Sequence, residues 1–190
     1  MWNLKSNVID NWAWIDVLEN EEITKLFELS KSIDEEPGTA SKDNNGSIRN
    51  SNIKWLYAKD ANFHWLYAKL TDAVNYANDN FFQLDLTYIE DLQFTIYDAS
   101  LGKQRYGKHI DTRYNSPGLP RKLSFSILLS DPEEFEGGDL VIHDGYNPSV
   151  VDRVKGRATF FPSYTLHEVT PVTSGVRYSL VGWVHGPKLR

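Results

Sequence analysis

The sequence predicts a mainly β fold with helices at its N-terminal end, an α+β arrangement whose core is a jelly roll or a related barrel. Eight strand-like segments follow residue 90, separated by turns rich in Gly, Pro, Asp and Asn. Within these segments the apolar residues do not recur with the helical period of about 3.6 residues. Two apolar stripes before residue 90 do repeat with that period. Strands in such number without intervening helices are typical of closed or double-sheet β architectures.

The N-terminal part of the chain is predicted to form two helices around a polar loop. Residues 12–18 read as a short strand, and Asn20 can cap a helix whose first turn holds two glutamates. Residues 34–52 are polar and rich in turn formers, which predicts a loop. Asp60 can cap a second helix over 60–82, which carries the clearest apolar stripe of the chain.

The remaining elements are short strands in one continuous unit. They are predicted at 92–98, 108–114, 122–130, 139–143, 149–154, 157–161, 166–170 and 176–184. No linker is visible, so residues 1–190 are predicted to be a single domain. Its helices, within about 1–90, would pack on one outer face of a β core within about 91–185.

The composition excludes several classes of function. Hydrophobic residues make up 41% of the 190 residues and the net charge is -6, which is typical of a globular protein. No run of Lys or Arg is present, so nucleic acid is not an expected partner. The absence of Cys leaves His, Asp and Glu as the residues that could hold a metal. No signal peptide and no membrane-spanning run is visible, and a cytoplasmic location is expected.

A pair of metal-ligand residue types stands in the segment YGKHIDTRY. His109 and Asp111 would project to the same face if residues 108–114 are extended, because side chains alternate along a strand. Two ligands of one ion from one strand require that geometry. On its own the pattern is weak, since a surface strand with incidental polar residues would also show it.

A third ligand has to come from one of the other four histidines. His64 is expected to be a packing or surface residue of the second helix, and His185 to be exposed in a C-terminal tail. His143 ends a strand and remains an alternative. His167 is preferred because Arg177 follows ten residues later, across a turn predicted in TPVTSG.

Paired antiparallel strands would place His167 and Arg177 in one interior. Two histidines and one carboxylate on one face of an ion, with open positions opposite, are the ligand set of non-haem Fe(II) oxygenases. The ion itself needs no arginine, but an anionic co-substrate does. A guanidinium binds a carboxylate through two parallel hydrogen bonds.

A resemblance to a known family rests on three segments in a fixed order: QFTIYDASLGKQRYGKHID, LSFSILLSDPEEFEGGDLVI and FPSYTLHEVTPVTSGVRYSLVGW. They resemble the Fe(II)/2-oxoglutarate-dependent dioxygenases, and within them the prolyl 4-hydroxylase-like group, which includes the bacterial PKHD-type hydroxylases. The resemblance covers roughly residues 92–184. RNSNIKWLYAK and NYANDNFF are similar more loosely. The combination of HxD, GGDL and HxVTPVTxGxR is far more specific than any one motif.

This resemblance implies a double-stranded β-helix, which is a jelly-roll, cupin-like core. It assigns His109, Asp111 and His167 as iron ligands, and Arg177 as the anchor of the distal carboxylate of 2-oxoglutarate. Ser179 shares the face of Arg177 by strand alternation and can add a hydrogen bond to that carboxylate.

Three aromatic residues receive roles from the same resemblance. Tyr97 matches a family tyrosine that contacts 2-oxoglutarate, and Tyr106 matches one that lines the pocket near the metal. Trp183 lies on the face of Arg177 and is expected to close the pocket floor. Ordinary aromatic packing is the alternative for all three. Some prolyl hydroxylases carry a tyrosine on the strand matched by LSFSILLS, and its absence here implies a differently shaped pocket.

The implied reaction is the hydroxylation of an unactivated C–H bond, with 2-oxoglutarate and O2 converted to succinate and CO2. Fe(II) is the implied cofactor, and ascorbate is a candidate reductant. The implied substrate is a prolyl or other side chain of a peptide or protein, with a free amino acid or small metabolite as the alternative. Residues 34–52 and 113–122 are candidate substrate lids. The sequence does not indicate an oligomeric state.

Two other classes of function share the ligand set. A non-catalytic, cupin-like metal-binding module would explain the three ligands but not Arg177 behind them. A zinc hydrolase would need a general base beside the metal, and the sequence offers no glutamate motif for that role.

Overall fold

The computed structural model of the chain describes residues 10–39, 48–112 and 118–188. Within them lie two α-helices, α1 at Asn20–Ser30 and α2 at His64–Ala77, and a set of antiparallel strands. The strands are β1 Ala13–Asp16, β2 Glu36–Pro37, β3 Arg49–Asn50, β4 Asn52–Leu56, β5 Tyr88–Ile89, β6 Leu92–Asp98, β7 Gln104–His109, β8 Arg121–Leu128, β9 Phe135–Gly137, β10 Leu140–His143, β11 Ser149–Val150, β12 Arg157–Pro162 and β13 Leu166–His185.

One long strand, β13, joins two sheets. The larger sheet has the order β1-β12-β8-β13-β6-β4-β2, and each neighbouring pair is antiparallel. The smaller sheet is built on the first half of β13, which pairs with β7, β9 and β10. β13 passes from the smaller sheet to the larger one at Gly175, whose φ of 71° is a conformation that glycine adopts without steric cost.

The continuity of β13 corrects one prediction. The sequence predicts a turn in TPVTSG and places His167 and Arg177 on two paired strands, but both residues lie on this one strand. Val172 in the middle of the segment pairs with Gln104 of β7 and with Gly137 of β9. Because its backbone groups find partners on both sides, the segment stays extended.

The larger sheet separates apolar from polar side chains on its two faces. Alternate residues of its central strands join the helices in one apolar core, which includes Leu92, Phe94, Leu123, Phe125, Ile127, Phe160, Leu180 and Val184 together with Leu26, Leu66 and Leu70 of the helices. The residues between them line the space between the sheets and are mostly small or polar, among them Gln93, Thr95, Ser126 and Ser179. This alternation places the polar chemistry of the fold inside the barrel and away from the helices.

The two helices lie where the sequence predicts them. Glu19 rather than Asn20 precedes α1, and the carboxylate of Glu22 accepts a hydrogen bond from the backbone N–H of Glu19 at 2.8 Å. Asp60 caps the second helix as predicted, by accepting from a backbone N–H two residues later at 2.9 Å. That helix is composed of a 3-10 turn at Ala61–Phe63, α2, and a π turn at Asn78–Phe82.

The predicted strands and loop also differ from the structure elsewhere in the chain. β7 begins at Gln104 and ends at His109, whereas the sequence predicts 108–114. The strand predicted at 149–154 covers only Ser149–Val150. The predicted loop 34–52 contains β2, β3 and the start of β4, because β2 finds a partner in β4 and β3 finds one in β7. Distant pairing partners, which local composition does not reveal, decide these segments.

Some predictions fall outside what the structure describes. Residues 40–47 and 113–117 are not among the described residues, so the lids proposed in 34–52 and 113–122 stay predictions. The assignment of the whole chain to a single domain also stays a prediction. No helix in the described part of the chain has the length and apolar character needed to cross a membrane.

Gly182 provides a test of the packing between β8 and β13. A Cβ atom at this position would lie 2.2 Å from Cζ of Phe125, whose side chain is fully buried. We expect Gly182→Ala to lower the free energy of unfolding by about 1–3 kcal/mol through overpacking, measured by urea denaturation. Gly145→Ala is the control, because its new Cβ meets no atom within 4 Å. Equal stability of the two variants would contradict the tight contact at Phe125.

Candidate metal centre

Two histidines face each other across neighbouring strands. The register of β7 and β13 sets His109 opposite His167, with ring centroids 4.1 Å apart. The next pair in this register is Tyr106 opposite Val169, so β7 has one residue more than β13 between the two pairs. This β-bulge brings Tyr106 and His109 to the same face although they are three residues apart, and their rings stack with centroids 3.5 Å apart.

Asp111 completes the cluster from just beyond the end of β7. The backbone N–H groups of Asp111 and Thr112 both donate to the carbonyl oxygen of Ser163, at 2.8 and 3.0 Å, and so fix the chain where it leaves the strand. The carboxylate lies 3.6 Å from Nε2 of His109 and 3.6 Å from Nε2 of His167. All three candidate ligand atoms lie within 4.8 Å of one another. The structure therefore brings the three predicted side chains together, although Asp111 does not belong to a strand.

Hydrogen bonds to the backbone leave one nitrogen of each imidazole for an ion. Nδ1 of His109 lies 2.8 Å from the carbonyl oxygen of Gly107, and Nδ1 of His167 lies 3.0 Å from that of Thr165. A carbonyl oxygen can only accept, so Nδ1 carries the hydrogen in both rings and Nε2 keeps its lone pair. Both Nε2 atoms face the carboxylate of the cluster.

Burial and mutual charge set the protonation of the cluster. Burial, followed by the proximity of His167, lowers the pKa of His109 to about 4. Burial alone would raise the pKa of Asp111, but the two histidines and the hydroxyl of Ser124, which donates to Oδ2 at 2.7 Å, hold that pKa below its usual value. At neutral pH the site therefore offers a neutral His109 imidazole and an ionised carboxylate, the states that bind metal ions.

The donor set fits a divalent transition metal ion. The 3.6 Å separations between the carboxylate and the two imidazoles are too long for hydrogen bonds. Metal–ligand bonds of about 2.0–2.2 Å would let a single ion bridge them. Two imidazoles and one carboxylate on the same side leave positions open on the other side, as in non-haem iron sites. Asp111 is the only carboxylate among the described residues that line this pocket.

Arg177 is a buried cation next to this pocket. Its side chain is almost fully buried, and no carboxylate in the described part of the chain forms an ion pair with it. Nη1 donates to Oγ of Ser179 at 3.0 Å, and the guanidinium lies 5.6 Å from the ring centroid of Tyr97. Arg177 lines a cavity that shares Ser126 and Leu140 with the metal pocket. Burial lowers the pKa of Arg177, and the carboxylate of Asp139, which acts in the opposite direction, is bound to Arg153. A buried charge without a countercharge of its own is costly, so the arrangement is suited to an anionic ligand.

The three predicted aromatic residues all line the metal pocket. Burial raises the pKa of Tyr97 and of Tyr106, so both hydroxyl groups stay protonated at neutral pH. The indole N–H of Trp183 is buried and has no acceptor within hydrogen-bond distance among the described residues. A buried donor of this kind is costly unless a ligand supplies the acceptor.

The other three histidines lie outside the cluster. His64 is exposed at the start of α2, as predicted. His143, the alternative third ligand, instead contacts the carboxylate of Glu168 at 3.0 Å. The prediction for His185 is wrong, because β13 extends to this residue and its ring stacks on that of Tyr88 with centroids 4.6 Å apart.

Sequence reasoning misses two arginines at the pocket. Arg121 falls in the candidate lid 113–122, but it binds the carboxylate of Glu90 through two hydrogen bonds of 2.7 Å. Its guanidinium also lies 3.8 Å from the ring centroid of Trp183. Arg49 falls in the predicted loop 34–52, yet it is buried and lines the metal pocket. The only sequence signal for Arg49 is the looser resemblance of RNSNIKWLYAK.

The chain is a double-sheet barrel that holds two histidines and a carboxylate with open positions beside them. This arrangement is that of the facial-triad metalloproteins. The sequence model of the 2OG-Fe(II) oxygenase superfamily matches residues 92–185 of the chain. This range contains the three clustered residues and Arg177. Through it, the chain belongs to the 2OG-Fe(II) oxygenase superfamily, whose members use Fe(II), 2-oxoglutarate and O2.

Sequence similarity extends to curated bacterial proteins. The chain is 44% identical over 89 residues to a PKHD-type hydroxylase of Prochlorococcus marinus. That match covers 47% of this chain and 40% of the relative. The chain thus spans less than half the length of the curated relatives it matches.

Solved structures share the fold over nearly the whole chain. A prolyl 4-hydroxylase of Pseudomonas putida superimposes with a TM-score of 0.70 at 21% identity, over 94% of each chain. A prolyl hydroxylase from Trichoplax adhaerens, in complex with a peptide fragment of the hypoxia-inducible factor oxygen degradation domain, gives a TM-score of 0.74 at 18% identity. That superposition covers 93% of this chain and 84% of the other. These likenesses confirm the predicted double-stranded β-helix.

Ser124→Ala should weaken the binding of a divalent metal ion. The change removes the hydroxyl that donates to Asp111 at 2.7 Å, and partners that orient metal ligands typically contribute a factor of about 10 or more to metal affinity. We expect the dissociation constant for Mn(II), measured by titration calorimetry, to rise about tenfold. Ser149→Ala is a matched control, because Ser149 donates to Asp144 at 3.1 Å outside the site. An unchanged dissociation constant in Ser124→Ala would show that this hydrogen bond does not orient a ligand.

Proposed function

We propose that the chain is an Fe(II)- and 2-oxoglutarate-dependent dioxygenase that hydroxylates an unactivated C–H bond. The substrate we favour is a prolyl or other side chain of a peptide or protein. In the reaction one oxygen atom of O2 enters the substrate as a hydroxyl group, and 2-oxoglutarate is converted to succinate and CO2. The observation that carries the proposal is the position of Arg177, a buried guanidinium without a carboxylate partner in the described residues, beside the histidine–aspartate cluster.

In this proposal His109, Asp111 and His167 hold the iron. The bound metal supplies the redox chemistry that activates O2. The protein residues supply geometry, because two backbone carbonyls and the hydroxyl of Ser124 orient the three ligands. With three ligands on one side, a bound ion would keep positions for co-substrate and O2.

Arg177 and Ser179 anchor the distal carboxylate of 2-oxoglutarate in this proposal. A guanidinium fixes a carboxylate in both position and orientation through two parallel hydrogen bonds. Ser179 already accepts from Arg177 and also lines the metal pocket, so it connects the anchor to that pocket. Tyr97 is paired with Arg177 across β6 and β13 and keeps a protonated hydroxyl to donate to the same ligand. The small side chain of Ser126, on a strand without tyrosine, leaves room between the two cavities.

The lining of the metal pocket supports a peptide or protein side chain as the substrate. Trp183 lines the pocket, and its unpaired indole N–H can donate to a peptide carbonyl. The solved Trichoplax adhaerens structure, which holds a peptide fragment on the same fold, adds support. The cytoplasmic location and the use of ascorbate stay predictions from the sequence.

The two competing classes of function explain the site less well. A zinc hydrolase needs a general base beside the metal, and Asp111, itself a ligand candidate, is the only carboxylate among the described lining residues. A non-catalytic metal-binding module has no use for a buried guanidinium next to the ion, because burying it without a countercharge costs stability.

Asp111→Ala should abolish the reaction. Loss of the carboxylate removes the one anionic ligand of the cluster and leaves two imidazoles to hold the ion. We expect succinate formation from 2-oxoglutarate, measured under air with added Fe(II), to fall to the level seen with EDTA. Asp144→Ala, outside the cluster, should retain the activity. Succinate-coupled hydroxylation that survives in Asp111→Ala would refute the ligand assignment.

Arg177→Gln should selectively weaken the binding of 2-oxoglutarate. Glutamine keeps a hydrogen-bond donor but removes the countercharge of the co-substrate, and loss of one partner of a buried charge pair costs enough to raise a dissociation constant about 100-fold. Titration of 2-oxoglutarate into Mn(II)-loaded protein measures this change. The affinity for Mn(II) alone should stay within about twofold, which separates the anchor from the metal ligands. Equal 2-oxoglutarate affinity in wild type and variant would exclude Arg177 as the anchor.

A further inference from the structure

We propose that Arg49 positions the metal ligand His109 through the ring of Tyr106, and that the absence of a side chain at Gly38 admits the guanidinium to its place. This inference rests on the proposed function, because it takes His109 as a ligand. It assigns Arg49 a positioning role, since the residue acts on the ion through two other side chains.

Three groups contact one another in series from Arg49 to the candidate ligand. Cζ of Arg49 lies 4.7 Å from the ring centroid of Tyr106, within the range of a cation–π contact. The Tyr106 ring in turn stacks on the imidazole of His109, with centroids 3.5 Å apart and planes 11° from parallel. Arg49 stands directly opposite Tyr106 in the pairing of β3 with β7, so the backbone also holds this series in register.

The stack restrains a motion that the hydrogen bond of His109 leaves free. The bond from Nδ1 to the carbonyl of Gly107 fixes one edge of the imidazole but allows the ring to tilt about that edge. Contact with the flat face of Tyr106 restricts this tilt and keeps Nε2 directed at the cluster. A ring held in this way can bind an ion with less loss of conformational freedom.

The guanidinium of Arg49 is itself held by a fixed set of acceptors. Nε donates to Oγ of Ser51 at 2.9 Å, Nη2 donates to Oε1 of Gln93 at 2.7 Å, and Nη1 donates to the carbonyl of Thr39 at 3.4 Å. These acceptors come from three separate segments of the chain. The planar group therefore has one preferred orientation against the Tyr106 ring, which lysine could not reproduce because it lacks the planar fork.

Gly38 leaves the space in which the guanidinium lies. A Cβ atom at this position would stand 2.5 Å from Oγ of Ser51 and 2.8 Å from Nε of Arg49. The backbone N–H of Gly38 donates to the carbonyl of Ser51 at 2.7 Å, which holds the glycine in this close approach. A methyl group at residue 38 would consequently displace Arg49 while leaving its charge in the protein.

The test uses variants that keep the charge of Arg49. A nearby positive charge disfavours a bound cation, so removing the charge of Arg49 would by itself strengthen metal binding. That gain would mask the loss of affinity from poorer positioning of His109. Arg49→Lys and Gly38→Ala both retain the charge and disturb only the stack. For each, we expect the dissociation constant for Co(II), measured in the absence of 2-oxoglutarate and O2, to rise about 5- to 10-fold. The visible absorption of bound Co(II) should shift as well, because the direction of one ligand changes.

The controls repeat the same substitutions elsewhere in the chain. Arg157→Lys alters an arginine that also lies over an aromatic ring, 3.7 Å from the centroid of Trp14, and Gly145→Ala adds a methyl group in open space. Both should bind Co(II) within about twofold of the wild type, and thermal unfolding of all variants without metal checks that they fold. Wild-type affinity and spectrum in Arg49→Lys and Gly38→Ala would overturn this inference and leave the proposed function standing. A wild-type chain that binds no Co(II) would overturn the proposed function with it.

Discussion

The antiparallel pairing of β7 with β13 is the constraint on which the site depends. It sets His109 opposite His167, and the extra residue in β7 turns Tyr106 to the same side. Asp111 lies just past the end of β7. Its backbone N–H and that of Thr112 hold it there by donating to the carbonyl of Ser163. Each imidazole is oriented by a backbone carbonyl. The β scaffold and its backbone groups therefore orient all three candidate ligands.

One face of the larger sheet stabilises the fold, and the other face carries the residues of the candidate site. The helix-facing side carries the large apolar side chains, whose burial supplies the main favourable contribution to folding. The inner side carries serines, a threonine, a glutamine and the buried Arg177, which contribute little by burial and in part oppose it. Because the two sets alternate along the same strands, the helices can stabilise the sheet without entering the pocket. This arrangement lets a polar interior persist in a chain of 190 residues.

Much of this molecule could be predicted from the sequence, and the failures have physical causes. The alternation along VRYSLVGW placed Arg177, Ser179 and Trp183 on one face correctly, because side-chain direction in a strand is a local property. The turn expected in TPVTSG is absent, because pairing with β7 and β9 overrides local composition. Arg49 and Arg121 fall in segments predicted as a loop and as a candidate lid, and their roles were missed. Arg121 binds Glu90, 31 residues away in sequence, and Arg49 binds Gln93, 44 residues away. Side-chain direction within one strand was predicted from the residues, whereas the pairing of distant segments was not. The meeting of His167 with His109 and Asp111 is the exception, since that prediction rested on Arg177 ten residues later and on the family resemblance.

The bulge in β7 also bears on how such a chain can change over evolutionary time. Tyr106 and His109 are three residues apart, a spacing that in a regular strand would place their side chains on opposite faces. The extra residue of the bulge returns His109 to the face of Tyr106 and keeps it opposite His167. A relative with one residue fewer between these two positions would hold the same two rings on one face without a bulge, because residues two apart on a strand share a face. Two spacings between this tyrosine and this histidine can therefore serve the same site, so that a one-residue alignment gap in this segment leaves the candidate ligand in place.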